Sequence, residues 1–478
     1  GHLFLQMLRD GTEDRAAIVR YNQNPNDLQS IIPVMGNRAM LETTFSAANF
    51  TPSGFTNLAG GVIVAEDEFN DPPHPSSPPG LKRTIIVLTD GKENRCYQEG
   101  GTWYSITGRD APSMRRPNGA PQDSEPLPTP QGISIYGIGL GNPADIDGIA
   151  LDQLSTATGG SYTAVVELFG QDYFLLEKYF TQIFMETAGM AMISDPFFTI
   201  TLGEVHEHEF DIFPGDVKTM VVLYDYPGKR LPFLLVSPRG EEFSGTMLPP
   251  GFGVRYHSTR TSRFVEITFP KGEPERYAGR WKAIVLHEGG ICRGDINLYK
   301  PNQDYKEVGG YGFIPLDCTK TEEAVQYGIA IGAGSNLRMQ PYVEPGVKYV
   351  GDSLHLTAVL AEAGLPVTNA TVHVNVKTPS GAHFTVLLRD DGMNFDGDAN
   401  NGEYARTFTH TPSAGVYQLH FRAEGLQAGR PYVREAYRTK LVCDPRVPPD
   451  TGDGGNNKDC CKALLREIRR LNANLIKK

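Results

Sequence analysis

The chain has 478 residues, of which 40% are hydrophobic and 21% are charged, as in an ordinary globular protein of about three domains. Its formal net charge is -11 and it has no basic patch, which argues against a nucleic-acid partner. It has no run of about 20 apolar residues, so we expect no membrane-spanning segment.

Residues 1–192 alternate between apolar runs and helical periods, which predicts an α/β domain. Its most informative stretch is RTIIVLTDGKEN at residues 83–94, where a buried strand ends abruptly in Thr89-Asp90-Gly91. Ligands of open α/β sheets bind at the carboxyl ends of the strands, so Asp90 is a candidate ligand residue. The simpler alternative is an ordinary Asp-Gly turn. The other expected elements are helices at 2–10, 56–69, 146–160 and 173–188, and strands at 15–22, 132–141 and 161–165.

The order of strand, TDG turn, glycine-rich strand (YGIGLG) and Ala-Thr-Gly-Gly resembles a von Willebrand factor type A (VWA) domain. The resemblance implies a doubly wound fold and a metal-ion-dependent adhesion site to which Thr56 and Asp90 contribute. It also implies a divalent cation, Ca²⁺ or Mg²⁺, as cofactor. The Asp-x-Ser-x-Ser motif that ends the first strand of the family is absent from the sequence. We expect the first strand to lie in a segment before Gly1; the alternative is a degenerate domain.

Residues 96–130 form a long insertion between the TDG strand and the next strand. The insertion is rich in Gly, Pro, Arg, Ser and Asp and has no hydrophobic period, which predicts a loop without regular structure. It lies at the ligand end of the sheet. It either contributes to the metal site or is a disordered excursion on the surface.

Residues 193–335 consist of short alternating segments separated by turns, which predicts a β-sandwich with Trp281 in its core. Strand alternation places His206 and His208 on one face. Because the sequence His-Glu-His-Glu is not the HExxH zinc signature, we expect a solvated strand face there, with a metal site as the minor alternative. The expected strands are 198–202, 206–212, 219–224, 233–237, 263–269 and 279–286.

Residues 336–443 predict a second, immunoglobulin/fibronectin-like β-sandwich, preceded by a transitional segment at 294–334. Its expected strands are 353–360, 371–377, 383–389, 402–410 and 415–423.

One loop of this second sandwich, at residues 389–404, is rich in oxygen ligands. Such a density of carboxylates and amides suits Ca²⁺, which takes six to eight oxygens; the alternative is a turn held by its own backbone hydrogen bonds. The loop and the domain order also resemble the β-sandwich that follows the VWA domain in CLCA-like and bacterial surface VWA proteins. The candidate calcium ligands are Asp390, Asp391, Asn394, Asp396, Asp398 and Asn400.

The six cysteines are spread out and lack zinc spacing. Cys292 and Cys318 are the candidates for an intrachain disulfide, with two buried thiols as the alternative. Together with two Asn-x-Thr sequons, they favour an extracellular or cell-surface protein.

Residues 444–459 are a flexible linker rich in Pro, Gly, Asp and Asn. Residues 460–478 have the apolar 3, 4 spacing of a coiled coil, which favours a homo-oligomer. The alternative is that this helix docks on the chain's own body or on another protein. Cys460 and Cys461 could join neighbouring chains through interchain disulfides. The residues of the predicted seam are Leu464, Ile468, Leu471 and Leu475.

No catalytic motif is present: GxSxG, HExxH and the phosphate-binding and dinucleotide-binding fingerprints are all absent. The sequence therefore favours a non-enzymatic adhesion or assembly protein that binds a protein ligand or copies of itself. The alternatives are a structural filament or surface-layer subunit with an inactive metal site, and an accessory region of a larger secreted metalloprotease-like protein.

Overall fold

The computed structural model describes residues 2–8, 14–45, 49, 55–70, 82–109, 114–140, 146–165, 171–225, 231–243, 249–258, 262–287, 290–291, 306–308, 311–313, 319–320, 324–427 and 429–444. This part of the chain is mostly β-structure in several sheets, which confirms the β-rich character predicted for the fold. Its helices are all too short or too polar to cross a membrane.

The first region combines five helices with eight strands. The helices are α1 (His2–Met7), α2 (Arg38–Thr44), α3 (Leu58–Asn70), α4 (Gly148–Ala157) and α5 (Gln171–Thr187). The strands are β1 (Arg15–Arg20), β2 (Asn26–Pro33), β3 (Arg83–Thr89), β4 (Tyr97–Glu99), β5 (Thr102–Ser105), β6 (Glu125–Pro126), β7 (Ile133–Leu140) and β8 (Tyr162–Val165).

Strands β3, β7 and β8 form a parallel sheet with apolar packing on both faces. Ile85, Val87 and Ile135 pack with residues of α3 and α4 on one face. On the other face, Tyr136 and Ile138 pack against α5. A sheet that is covered on both sides needs apolar side chains in both directions, which explains the uninterrupted apolar runs of these strands.

Strands β1 and β2 form a separate antiparallel hairpin. Within the described part of the chain, β3 pairs only with β7 and β1 only with β2, so no described strand joins the hairpin to the parallel sheet. Helix α3 contacts both, and the Tyr21 hydroxyl, just after β1, donates a hydrogen bond to the Leu88 carbonyl of β3.

The insertion at 96–130 is more ordered than its composition predicts. Strands β4, β5 and β6 form a small sheet within it, and Ile106 and Met114 are buried. The prediction of a loop without regular structure was therefore wrong for the described residues of this segment. Short strands with polar outer faces carry no clear period in the sequence, so they were missed.

The next region is a β-sandwich whose core extends from Ile193 to Ala333 and includes the fully buried Trp281, as predicted. Its strands are β9 (Ala191–Ser194), β10 (Phe197–Ile200), β11 (Val205–Ile212), β12 (Lys218–Asp225), β13 (Phe233–Val236), β14 (Glu242–Phe243), β15 (Gly253–Ser258), β16 (Ser262–Thr268), β17 (Gly279–Leu286) and β18 (Gly290–Ile291). After the short helix α6 (Pro274–Tyr277) and β18 come β19 (Lys306–Val308), β20 (Tyr311–Phe313), β21 (Thr319–Lys320) and β22 (Val325–Gly334).

Strand β22 was missed by the sequence analysis, which assigned it to a transitional segment. In the structure it lies beside β12 and pairs with it from Lys218↔Gly334 to Asp225↔Tyr327. Its three glycines weaken the strand pattern. They are needed for close packing: a Cβ at Gly332 would lie 2.6 Å from the Met185 sulfur.

Strand β11 carries His206 and His208 on one face, as alternation predicts, and this face is half-buried. Both imidazoles contact the buried Tyr327, whereas Glu207 and Glu209 point the other way and pair with Lys282. The expected solvated face is therefore present only in part, because the inner side of both rings packs against the opposite sheet, which the polarity pattern alone does not show.

The last described region is a second sandwich with a core from Leu337 to Val442. Its strands are β23 (Leu337–Val343), β24 (Lys348–Tyr349), β25 (Leu354–Glu362), β26 (Leu365–Pro366), β27 (Thr371–Lys377), β28 (His383–Leu388), β29 (Glu403–Phe408), β30 (Gly415–Gln427) and β31 (Arg430–Cys443). One sheet of 11 strands runs through both sandwiches, since β9 pairs with both β22 and β31.

Strand β31 also links the second sandwich to the first region through buried ion pairs. Lys440, which is fully buried, lies 2.8 Å from Asp152 of α4, and Arg438 lies 2.5 Å from Glu186 of α5. Removing one partner of a buried pair leaves an uncompensated charge, so these contacts fix the orientation of β31 on the α/β region.

Candidate functional site

The TDG turn lies where β3 ends, at the carboxyl edge of the parallel sheet. Thr89 is buried, and its hydroxyl oxygen accepts a hydrogen bond from the Gly91 amide at 3.3 Å. Asp90, between them, is exposed. The backbone of the turn is therefore held by Thr89, and the Asp90 carboxylate points away from the core.

Thr56 lies directly against this turn. Its amide donates to Oδ1 of Asn94 at 3.0 Å, and its carbonyl accepts hydrogen bonds from the amides of Asn94 and Arg95. A Cβ at Gly91 would lie only 2.8 Å from the Thr56 hydroxyl oxygen, so glycine is required for this approach. The structure thus places Thr56 beside the TDG turn.

Glu93 is a buried carboxylate that the sequence analysis did not single out. Its two oxygens accept hydrogen bonds from the amides of Ala59, at 2.7 Å, and Ile106, at 2.8 Å. Burial raises the pKa of Glu93 to about 7, although both amides and Arg109 oppose the shift. Glu93 therefore joins the start of α3 to the insertion and fixes the loop that follows Asp90.

Arg109, from the insertion, completes the support of this edge. Its guanidinium donates to the Glu93 carbonyl at 3.2 Å and forms an ion pair with Asp147. Asp147 is the N-cap of α4, where it accepts a hydrogen bond from the Ala150 amide. The sequence analysis missed Glu93, Arg109 and Asp147. Glu93 could have been noticed because it follows the TDG turn closely, whereas no motif around Arg109 or Asp147 indicates that they support the site.

Thr56 and Asp90 offer a hydroxyl and a carboxylate, both hard oxygen donors that suit Mg²⁺ or Ca²⁺. In the ranges that the structure covers, no three His, Cys, Asp or Glu side chains are grouped as a metal site. The two residues fit part of a cation site, and water, a ligand or further protein groups would have to complete its coordination.

The acidic loop between β28 and β29 is held largely by its own side chains. Asp396 is fully buried, and its Oδ2 accepts hydrogen bonds from the amides of Asp391 and Gly392. Asp390 accepts from the amides of Asn401 and Gly402. These contacts match the alternative of a turn fixed by its own backbone hydrogen bonds.

Some oxygens of this loop are not used in this way. Oδ1 of Asp396 is buried and has no hydrogen-bond partner, and the side chains of Asp398 and Asn400 are exposed. Asn394 and Asn400 have φ values of 58° and 61°, which turn the loop sharply. Calcium binding by this loop stays a prediction.

Several predicted sites lie outside the described residues. These are Cys292, Cys318, Cys460, Cys461, Leu464, Ile468, Leu471 and Leu475. The same holds for the predicted coiled coil at 460–478 and for most of the linker before it. Cys96 and Cys443, the cysteines within the described ranges, are buried thiols.

Comparison with known proteins identifies one part of the chain. Residues 348–440 match the family model described as "Conditioned medium factor 2nd Ig-like domain". The last described region is therefore an Ig-like β-sandwich. A search of curated proteins gives no match.

The solved structures that resemble this chain do so distantly. A protein described as von Willebrand factor type A from Catenulispora acidiphila is 13% identical, with a TM-score of 0.28 over 76% of this chain and 57% of that one. A DUF4785 family protein from Legionella pneumophila is 12% identical, with a TM-score of 0.28 over 52% of this chain and 65% of that one. The chain thus spans less than two thirds of either protein, and similarity this low assigns neither fold nor function.

Proposed function

We propose that this chain belongs to a non-enzymatic, secreted or surface-displayed adhesion or assembly protein that binds a protein ligand through a divalent cation at Thr56 and Asp90. The observation that carries the proposal is the position of Thr56 against the TDG turn, at the carboxyl edge of the parallel sheet, with Asp90 exposed. This edge is where open α/β sheets bind their ligands.

The recognition follows from the coordination chemistry of the cation. Mg²⁺ requires six oxygen ligands in octahedral geometry, and Thr56 and Asp90 supply two. An acidic side chain of a protein ligand supplies another and neutralises part of the charge, and water or further protein groups complete the set. The buried supports at Glu93 and Arg109 keep the turn in place before the ligand arrives, which lowers the entropy cost of binding.

We further propose that copies of the chain associate through the segment at 460–478. The spacing of Leu464, Ile468, Leu471 and Leu475 supports this, because a helix this short is marginal alone and gains stability by burying its apolar seam. Sedimentation velocity of the full chain, with and without reductant, tests it. A monomer under both conditions, with the same profile for Ile468→Asp, would contradict it.

The exposed oxygens of the acidic loop support a second, separate Ca²⁺ site. Such an ion would use Asp396, whose Oδ1 has no hydrogen-bond partner, together with Asp398 and Asn400. Its role would be to stiffen the end of the Ig-like sandwich.

The competing function is a structural subunit in which the VWA-like site is inactive. The buried ion pairs of β31 favour it, because they join the α/β region and the sandwich as a rigid scaffold would require. Metal binding at the TDG turn distinguishes the two functions.

Isothermal titration of Mg²⁺ into the full chain, after treatment with chelator, tests the leading proposal. We expect one site that Asp90→Ala weakens at least 10-fold and Thr56→Ala weakens less. Glu125→Ala, which removes an exposed carboxylate from the insertion, is the matched control and should bind as the wild type does. Equal binding by Asp90→Ala and the wild type would favour the structural subunit.

A further inference from the structure

Two histidines and a tyrosine converge at one end of the first sandwich. Nδ1 of His206 lies 2.8 Å from the Tyr327 hydroxyl oxygen, and Nε2 of His208 lies 2.6 Å from the same oxygen. The histidines come from β11 and the tyrosine from β22, so the three side chains bridge the two sheets of the sandwich. We refer to these three residues as the His–Tyr cluster.

The surroundings of the His–Tyr cluster hold its rings in place. Phe198 is the cross-strand neighbour of Tyr327 and lies against His208, with ring centroids 4.3 Å apart. Tyr327 is fully buried, whereas one quarter of the His206 side chain is exposed. The cluster is therefore rigid on its inner side and open to solvent on its outer side.

A carboxylate lies behind one of the two imidazoles. Nε2 of His206, the nitrogen that faces away from Tyr327, is 3.5 Å from Oε2 of Glu204. Histidines that bind metals almost always donate their second N–H to a carboxylate, a carbonyl or water, which orients the ring and makes the first nitrogen a better ligand. Glu204 is itself fixed, because its Oε2 accepts a hydrogen bond from the Thr201 amide at 2.7 Å.

The acidic residues of β11 lie on the opposite face of the strand from the two imidazoles, which face Tyr327. Glu207 and Glu209 point to the opposite face, where they pair with Lys282 and Arg280 of β17. The inner face of β11 therefore presents its two imidazoles to the Tyr327 oxygen.

We propose that the His–Tyr cluster binds a transition-metal ion of the borderline class, such as Zn²⁺ or Cu²⁺. His206 Nδ1 and His208 Nε2 are its nitrogen ligands, the Tyr327 oxygen is its third donor, and Glu204 orients His206. Imidazole ligands select Zn²⁺, Cu²⁺ and Ni²⁺ over Ca²⁺ and Mg²⁺. This site is therefore chemically distinct from the all-oxygen site proposed at Thr56 and Asp90, and neither depends on the other.

Titration of Zn²⁺ into the full chain, with accessible thiols alkylated so that cysteines do not contribute, tests the site. We expect one equivalent to bind, and His208→Asn to weaken binding about 100-fold. Tyr327→Phe keeps the ring in the core but removes the third donor oxygen, and it should weaken binding at least about 10-fold. His383→Ala removes an exposed histidine from β28 and should change nothing.

Electron paramagnetic resonance of the Cu²⁺-loaded chain identifies the ligands independently. The expected spectrum contains hyperfine coupling to two imidazole nitrogens in the wild type and to one in His208→Asn. Circular dichroism shows whether His208→Asn folds. If it does not fold, the loss of Zn²⁺ affinity in Tyr327→Phe tests the site instead. The proposal is overturned if the wild type binds no Zn²⁺ at micromolar concentrations, or if both variants bind as the wild type does.

Discussion

The TDG turn and the acidic loop between β28 and β29 use their carboxylates in opposite ways. In the loop, Asp390 and Asp396 accept backbone hydrogen bonds within the loop. In the turn, Thr89 holds the backbone and leaves the Asp90 side chain exposed. The number of acidic residues is therefore a poor guide to a cation site; what matters is which oxygens the backbone already occupies.

The difference has a conformational cause. Asn394, Phe395 and Asn400 all have positive φ, which is unfavourable for residues other than glycine and needs compensation. The buried Asp396 supplies that compensation by binding two amides. The TDG turn has its glycine at the point of closest approach to Thr56, so it needs no carboxylate to hold its shape.

The largest expected effect is on the loop. Asp396→Ala leaves the amides of Asp391 and Gly392 without their acceptor, so we expect the free energy of unfolding to fall by about 3 kcal/mol. Urea denaturation followed by circular dichroism measures it. Asp398→Ala, at an exposed position of the same loop, should change stability by less than about 0.5 kcal/mol. Equal effects of the two variants would mean that Asp396 does not hold the loop.

The contribution of Glu93 to the free energy of unfolding should depend on pH. Its pKa is about 7 in the folded chain against an ordinary value of 4.5, so the folded state binds the proton more tightly than the unfolded state. This contribution to stability is fully present below about pH 4.5 and is lost as the pH rises through 7. Between pH 5.5 and 8 we expect a loss of about 2 kcal/mol.

Urea denaturation at the two pH values, for the wild type and Glu93→Gln, measures this contribution. The variant should lose less stability over the same interval, because its amide does not titrate. Asp195, whose pKa burial also raises to about 7, shifts both proteins alike. An unchanged pH dependence in Glu93→Gln would assign the titration to another group.

Calcium should act on the loop more weakly than the removal of Asp396 does. The loop is already held by its backbone hydrogen bonds, so we expect Ca²⁺ at about ten times its dissociation constant to add only about 1.4 kcal/mol to the stability of the wild type. Asp398→Ala should lose this increment. No increment in the wild type would leave the loop as a self-sufficient turn without a cation.

The smallest expected effect on stability is at the turn itself. Asp90 is exposed, so Asp90→Ala should change the free energy of unfolding by less than about 0.5 kcal/mol. The urea midpoint and slope measure the change. A loss above about 1 kcal/mol would mean that Asp90 stabilises the fold, and loss of metal binding in this variant could then be structural.

Much of the fold was predictable because its strands have strong periods. β11 and β27 alternate clearly, and β3 and β7 are continuous apolar runs. β22 was missed because its glycines, which the close packing requires, remove the β-branched side chains that mark a strand. The 11-stranded sheet that both sandwiches share could not be predicted either, because the pairing of β9 with β22 and β31 joins residues that are far apart in the chain.

The candidate site was predictable only in part. The proximity of Thr56 to the TDG turn followed from the resemblance to VWA domains and is present in the structure. Glu93 was not found because a raised pKa depends on burial, which the sequence does not display. The His–Tyr cluster was half found: alternation paired His206 with His208, but Tyr327 is more than 100 residues away.

Counting bound Mn²⁺ by electron paramagnetic resonance, as a stand-in for Mg²⁺, tests the central claim most directly. The wild type, Asp90→Ala, Asp398→Ala and His208→Asn would be titrated side by side, so that each candidate site is removed in turn. The account predicts that Asp90→Ala loses one bound Mn²⁺ that the other two variants retain. Retention of every bound ion by Asp90→Ala would contradict a cation site at the TDG turn.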